Sequence, residues 1–202
     1  MPRSVCWLGG WAVPAESLRA FAQWSWPEVS HRIVLPRAGW EAELEAEDCD
    51  ALVAYSLGAQ LWFSCPDLWG RFERVVLLAP FCDFRREAGL GGKVGQAQLL
   101  YLRRWLQRDA LGAVRDFYAR ADLQMEEMDA LPYGEEDLLW GVERLLEGNG
   151  TLGAAPWESW EARVGGEDRL LDVEGISKWC RRLEVVPGRG HDWRDLMEGL
   201  RW

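Results

Sequence analysis

The sequence predicts an α/β protein with about six mostly parallel strands, helices on both faces of the sheet, and an inserted helical segment. Three observations predict it. Short apolar runs bounded by Gly, Pro or charged residues alternate with stretches of helical periodicity, the order that builds a parallel sheet. That rhythm breaks once, between residues 84 and 150, where helical patterning continues with no convincing strand. The length, 202 residues, suits one packed domain with a small insertion.

The first predicted strand spans 4–8 and the second 30–35. Between them, residues 14–24 place Leu18, Phe21 and Ala22 on one helical stripe, with Pro14 suited to the first turn. Further strands are predicted at 51–54, 74–79, 157–164 and 182–186. Further helices are predicted at 41–47, 57–68, 176–182 and 193–200. The division is then a core of residues 1–83 and 151–202, with a helical lid over 84–150. The glycine-rich stretches 89–92 and 148–150 read as its flexible ends.

With 49% hydrophobic and 28% charged residues, the chain has the composition of a packed globular protein. A net charge of −10 argues against nucleic-acid binding, which needs a basic surface to displace counterions from phosphates. Residues 85–120 invert that sign: eight basic residues against three acidic ones leave +5. The 14 tryptophans are spread along the chain and read mainly as packing residues or apolar pocket wall. Five cysteines with no C-x-x-C pair, and only two histidines, argue against structural zinc and a disulfide framework. No apolar run reaches 18 residues and the N-terminus lacks a signal-peptide pattern, so the expectation is a cytoplasmic protein without a membrane span. No membrane partner is expected, and the chain is expected to be a monomer.

Candidate chemistry begins at Ala54-Tyr55-Ser56-Leu57-Gly58, which reads as strand, sharp turn and helix with a serine at the turn. Small residues two places either side suit the close backbone approach of a nucleophile elbow. A serine there would equally suit a helix N-cap, and the segment alone leaves both readings open. Partners downstream favour the elbow. A serine hydroxyl needs a base, and a histidine serves best when a carboxylate orients it. His191 lies in a loop after the last predicted strand, whereas His31, beside Arg32 at the start of a strand, reads as structural or surface. Asp168 follows the fifth strand at the same carboxyl edge of the sheet, with Glu167 and Asp172 as rivals. Backbone N–H donors for an oxyanion are expected from Leu57, after the serine, and from Trp11, after the Gly9-Gly10 pair.

Read together, Gly9-Gly10-Trp11, the serine elbow, Gly166-Glu167-Asp168 and Gly190-His191-Asp192 resemble the oxyanion, nucleophile, acid and histidine loops of the α/β-hydrolase superfamily, over essentially the whole chain. Ala54 departs from the common G-x-S-x-G pattern, and Leu8 and Gly9 stand where a histidine often precedes the glycines. Within the superfamily the chain resembles the pimeloyl-acyl-carrier-protein methyl ester esterases of biotin synthesis. That resemblance implies a serine carboxylesterase with no cofactor and no metal, acting on an acyl ester presented by an acidic carrier protein gripped by lid arginines. Arg103, Arg104 and Arg108 are the candidates, on a predicted helix at 97–108 whose apolar stripe is Leu99, Leu102 and Leu106. A thioesterase or other acyl hydrolase would use the same three catalytic residues, and a catalytically silent hydrolase fold would bind without turnover. The sequence leaves these alternatives open.

Overall fold

The chain alternates strand and helix as far as residue 78, because runs such as Ala51–Tyr55 are apolar on both faces and need cover on both. A computed structural model describes residues 2–124, 128–148 and 159–202. Strands β1 (Ser4–Leu8), β2 (Ser30–Val34), β3 (Ala51–Tyr55) and β4 (Arg74–Leu78) alternate with helices α1 (Ala15–Ser25), α2 (Trp40–Ala46) and α3 (Leu57–Phe63). Next come two short strands, β5 (Asp83–Arg85) and β6 (Gly91–Val94), and three helices, α4 (Gln96–Leu106), α5 (Ala110–Ala121) and α6 (Glu135–Glu147). The main sheet is completed by β7 (Glu161–Gly165) and β8 (Leu183–Val186), with short helices α7 (Val173–Ser177) and α8 (Trp193–Met197).

The main sheet runs β2-β1-β3-β4-β7-β8, and every pair in it is parallel. From β1 the chain steps outward to β2, then crosses back to the other side of β1 and continues outward through β3. Strand order therefore reverses between β1 and β3. The loops leaving those two strands diverge and open a crevice at their carboxyl ends, where ligands bind in open α/β sheets.

The six predicted sheet strands are all present, within a few residues at their ends. The strand predicted over 157–164 begins at Glu161, and residues 157 and 158 lie outside the described residues, as do 149 and 150. Helix α7 lies ahead of the predicted 176–182 because Val173 and Ile176 are the apolar pair that packs inward, and the Ile176 amide closes its turn on the Asp172 carbonyl. The predicted helix at 57–68 divides into α3 and a 3-10 turn at Pro66–Leu68, where Pro66 ends the α-helical hydrogen bonding.

Residues 84–150 hold the expected helices, but also the parallel pair β5 and β6. Gly91 and Gly92 are buried strand residues, where flexible chain is expected from the sequence. A Cβ on Gly92 would sit 1.9 Å from the Phe84 carbonyl oxygen, so the glycine permits a close backbone approach. All five cysteines are free thiols. No helix among the described residues is long and apolar enough to cross a membrane.

Candidate active site

Ser56 occupies the junction between β3 and α3 at φ 53° and ψ −113°, a left-handed conformation that a non-glycine residue rarely adopts. The turn is held from outside: the Ser56 amide donates to the Leu78 carbonyl on β4, and the Ser56 carbonyl accepts from the Ala59 and Gln60 amides. Gly58 is required by contact, since a Cβ there would lie 2.2 Å from the Leu8 carbonyl oxygen. Ala54 is fully buried without conflict, so the departure from glycine two residues before the serine is accommodated.

His191 must come from the edge strand β8, three strands beyond β3. It gets there because the chain after β8 folds across the carboxyl end of β7. A Cβ on Gly165 would lie 2.0 Å from the Gly190 carbonyl oxygen and 2.3 Å from that of Arg189, so only glycine at the end of β7 lets the loop cross. The Glu167 amide donates to the Arg189 carbonyl (2.9 Å), and the Tyr55 hydroxyl donates to the His191 carbonyl (2.9 Å). The imidazole is thereby anchored through its own backbone.

Asp168 is buried after β7, and its carboxylate is fully engaged. Oδ1 accepts the Leu170 and Leu171 amides (2.8 and 3.0 Å), while Oδ2 lies 2.7 Å from His191 Nδ1. That contact makes Nδ1–H the donor and leaves Nε2 as an acceptor, 2.9 Å from Ser56 Oγ. Of the rival acids, Glu167 is exposed, and Asp172 leads into α7. The acid loop is itself tied down by β6: the Lys93 amide donates to the Leu170 carbonyl, the Asp172 amide to the Gly91 carbonyl, and Lys93 Nζ to the Asp168 carbonyl.

Leu57 is the first residue of α3, so its amide has no intrahelical acceptor. The Trp11 amide is likewise without an acceptor among the described residues, and Gly10 lies close enough to the elbow that its Cβ would be 3.4 Å from Ser56 Cβ. The Trp11 ring is buried. Its Nε1–H donates to the Leu138 carbonyl on α6 (2.9 Å), and its ring packs edge-to-face with Phe117, centroids 4.7 Å apart. A cavity of about 400 Å³ adjoins the site, with Phe84, Leu99, Leu102, Trp105, Phe117 and Leu170 in its wall. Ser56 and His191 do not line it. Phe117, on Trp11, and Leu170, on Asp168, connect the two regions.

Arg103 on α4 is half-buried, and Arg104 and Arg108 are exposed. None of the three forms an ion pair among the described residues, whereas Arg85, Arg115 and Arg120 pair with Asp83, Asp129 and Asp116. His31 belongs to the core. Its Nδ1 accepts the Trp7 indole N–H (3.2 Å) and its Nε2–H donates to the Trp26 carbonyl (3.1 Å). No cluster of three metal-ligating side chains occurs among the described residues. Sequence reasoning did not find Tyr55, Lys93 or the two amides on Asp168. Tyr55, adjoining the serine, was visible as a neighbour only.

No family model matches the sequence, and no curated protein matches it. The fold has many relatives among solved structures. An esterase from Exiguobacterium antarcticum aligns with TM-score 0.68 at 11% identity, over 94% of this chain and 85% of that one. The N-acyl homoserine lactonase AidH aligns with TM-score 0.62 at 14% identity, over 93% and 82%. ClbQ from the colibactin pathway aligns with TM-score 0.55 at 11% identity, over 93% and 88%. The chain has the α/β-hydrolase fold.

Proposed function

We propose that the protein is a serine hydrolase that cleaves acyl esters through Ser56, His191 and Asp168. The observation that carries this reading is the unbroken hydrogen-bonded chain from Ser56 Oγ to His191 Nε2 (2.9 Å) and from His191 Nδ1 to Asp168 Oδ2 (2.7 Å). A fold alone hosts many activities, so the site must carry the assignment. That solved relatives include an esterase and a lactonase is in keeping with it.

In the reaction, Ser56 Oγ attacks the acyl carbon while His191 Nε2 takes the hydroxyl proton. Asp168, holding Nδ1–H, keeps the tautomer that can accept it and stabilises the imidazolium. The Trp11 and Leu57 amides hold the developing oxyanion. Collapse expels the alcohol, which takes its proton from His191. Water, deprotonated by the same imidazole, then attacks the acyl carbon; the Ser56–acyl bond breaks, Ser56 Oγ takes the proton back from His191, and the acid is released.

The finer reading follows the resemblance to pimeloyl-carrier-protein methyl ester esterases. The alcohol released would be methanol and the acyl group would arrive on an acidic carrier protein docked at Arg103, Arg104 and Arg108, which form no ion pair among the described residues. A thioesterase would use the same residues, and comparing oxoester with thioester turnover separates the two. The direct test is labelling with a fluorophosphonate, which modifies an activated serine. Wild-type protein is expected to label at Ser56, and Ser56→Ala to lose roughly a thousand-fold or more in ester turnover while remaining folded. Labelling elsewhere, or full activity in Ser56→Ala, refutes the assignment and favours a silent binding fold or another nucleophile.

A further inference from the structure

The turn that carries Trp11 is built from an unfavourable residue. Residues 10–13 form a reverse turn closed by the Val13 amide on the Gly10 carbonyl (3.4 Å), and its third residue, Ala12, has φ 60°. Glycine is the residue such a position favours, because a Cβ crowds the backbone at positive φ. Alanine stays there only if its surroundings hold it.

Two tyrosines from the helical segment do so. The Ala12 amide donates to the Tyr133 hydroxyl oxygen (2.7 Å), and the Tyr118 hydroxyl donates to the Ala12 carbonyl (2.7 Å). These residues are 121 and 106 positions away in the chain. Burial pushes both phenols up, so each keeps its proton. A third tie comes from the neighbouring residue, whose indole donates to Leu138 on α6, and Gly141 leaves room for that ring: a Cβ there would lie 2.5 Å from it. Both backbone polar groups of the strained residue Ala12 are thus held from α5 and the loop after it, and the neighbouring indole is held from α6.

We propose that Tyr118 and Tyr133 are positioning residues that hold the Ala12 turn strained and thereby keep the Trp11 amide aimed as an oxyanion donor. The proposal rests on the serine-hydrolase reading. Without the tyrosines, Ala12 relaxes to negative φ, the Trp11–Ala12 peptide rotates, and the adjoining Trp11 amide leaves its aim. Seating of the helical segment and completion of the oxyanion site are then one event, because the same hydrogen bonds accomplish both. Ser56, His191 and Asp168 lie outside this network and keep their geometry.

The test compares wild type, Tyr133→Phe and Tyr133→Phe/Ala12→Gly on a soluble p-nitrophenyl or methyl ester, with fluorophosphonate labelling alongside. Removing the hydroxyl is expected to lower kcat about ten-fold or more with KM within about two-fold, since an oxyanion donor acts on the transition state and little on the bound ester. The labelling rate should fall with kcat. Glycine at position 12 adopts positive φ freely and should recover most of the lost kcat. A tyrosine serving only stability would lower Tm and leave kcat of the folded enzyme unchanged. Unaltered kcat in Tyr133→Phe, or no recovery with Ala12→Gly, overturns the proposal. If Tyr133→Phe does not fold, Tyr118→Phe gives the same readouts. Wild-type protein that fails to label at Ser56 overturns the underlying hydrolase reading itself, whereas the ratio of variant to wild type judges the clamp.

Discussion

At the scale of single residues, His31 shows how much of a side chain's role depends on neighbours distant in sequence. It begins a strand beside an arginine, a position that reads as surface or structural, yet it is 8% exposed and bonded at both ring nitrogens. Burial lowers its pKa, with the Trp26 and Ala22 carbonyls pulling weakly the other way. Protonating Nδ1 would also set an N–H against the Trp7 indole N–H. The linkage follows: the unfolded chain takes up a proton below about pH 6.5 more readily than the folded one, so His31 favours folding above that pH. Its contribution is lost as pH falls through the lowered folded value. Thermal melts of wild type and His31→Gln between pH 7.5 and 5 should show a steeper loss of Tm in wild type. Parallel curves would mean that His31 does not titrate differently on folding. Ser56, Asp168 and His191 could be grouped from the sequence because the proposed chemistry asks for those residue types in that order, and the structure brings them within hydrogen-bonding distance. Tyr118 and Tyr133 could not, because a hydroxyl that serves a backbone group more than a hundred residues away leaves no local pattern.

At the scale of elements, the strands were legible wherever apolar runs were short and bounded by Gly, Pro or charge, and they failed only at β5 and β6. Asp83-Phe84-Arg85 and Gly91-Gly92-Lys93-Val94 lack an apolar run, and they pair because their backbones can approach and because β6 also bonds the acid loop. Their glycines mark contact, a reading that composition alone does not separate from flexibility. The same ambiguity resolves into a prediction at the end of β7. Gly165 lets the loop from β8 cross toward Ser56, and a methyl group there would collide with two carbonyl oxygens, at 2.0 and 2.3 Å. Backbone atoms cannot move aside as a flexible side chain can. Gly165→Ala is therefore expected to displace His191 and lower kcat by a hundred-fold or more in protein that still folds, because imidazole placement within a fraction of an ångström governs proton transfer. Circular dichroism and ester turnover together check this. A folded variant with near wild-type kcat would show that the crossing has another route.

At the scale of the whole molecule, charge is divided unevenly. The chain carries −10 overall while residues 85–120 carry +5, so an acidic partner approaching at random is repelled by most of the surface and attracted by one part of it. The ion pairs within that region engage Arg85, Arg115 and Arg120, while Arg104 and Arg108 are exposed and Arg103 half-buried, with no ion pair at these three among the described residues. Exposed charge acts mainly on encounter rates, and salt screens it: the screening length falls from about 10 Å at 0.1 M to about 3 Å at 1 M. A substrate delivered by an acidic carrier should feel both effects, and a free ester neither. Raising salt over that range is expected to lower kcat/KM for a carrier-linked methyl ester about ten-fold or more through KM, with the free methyl ester within about two-fold. Arg103→Glu/Arg104→Glu/Arg108→Glu should reproduce the loss at low salt for the carrier-linked substrate alone. Equal salt dependence for both substrates would place carrier recognition elsewhere or remove it, and would leave the proposed chemistry untouched, since Ser56 lies buried at the junction of β3 and α3, apart from whatever docks on α4.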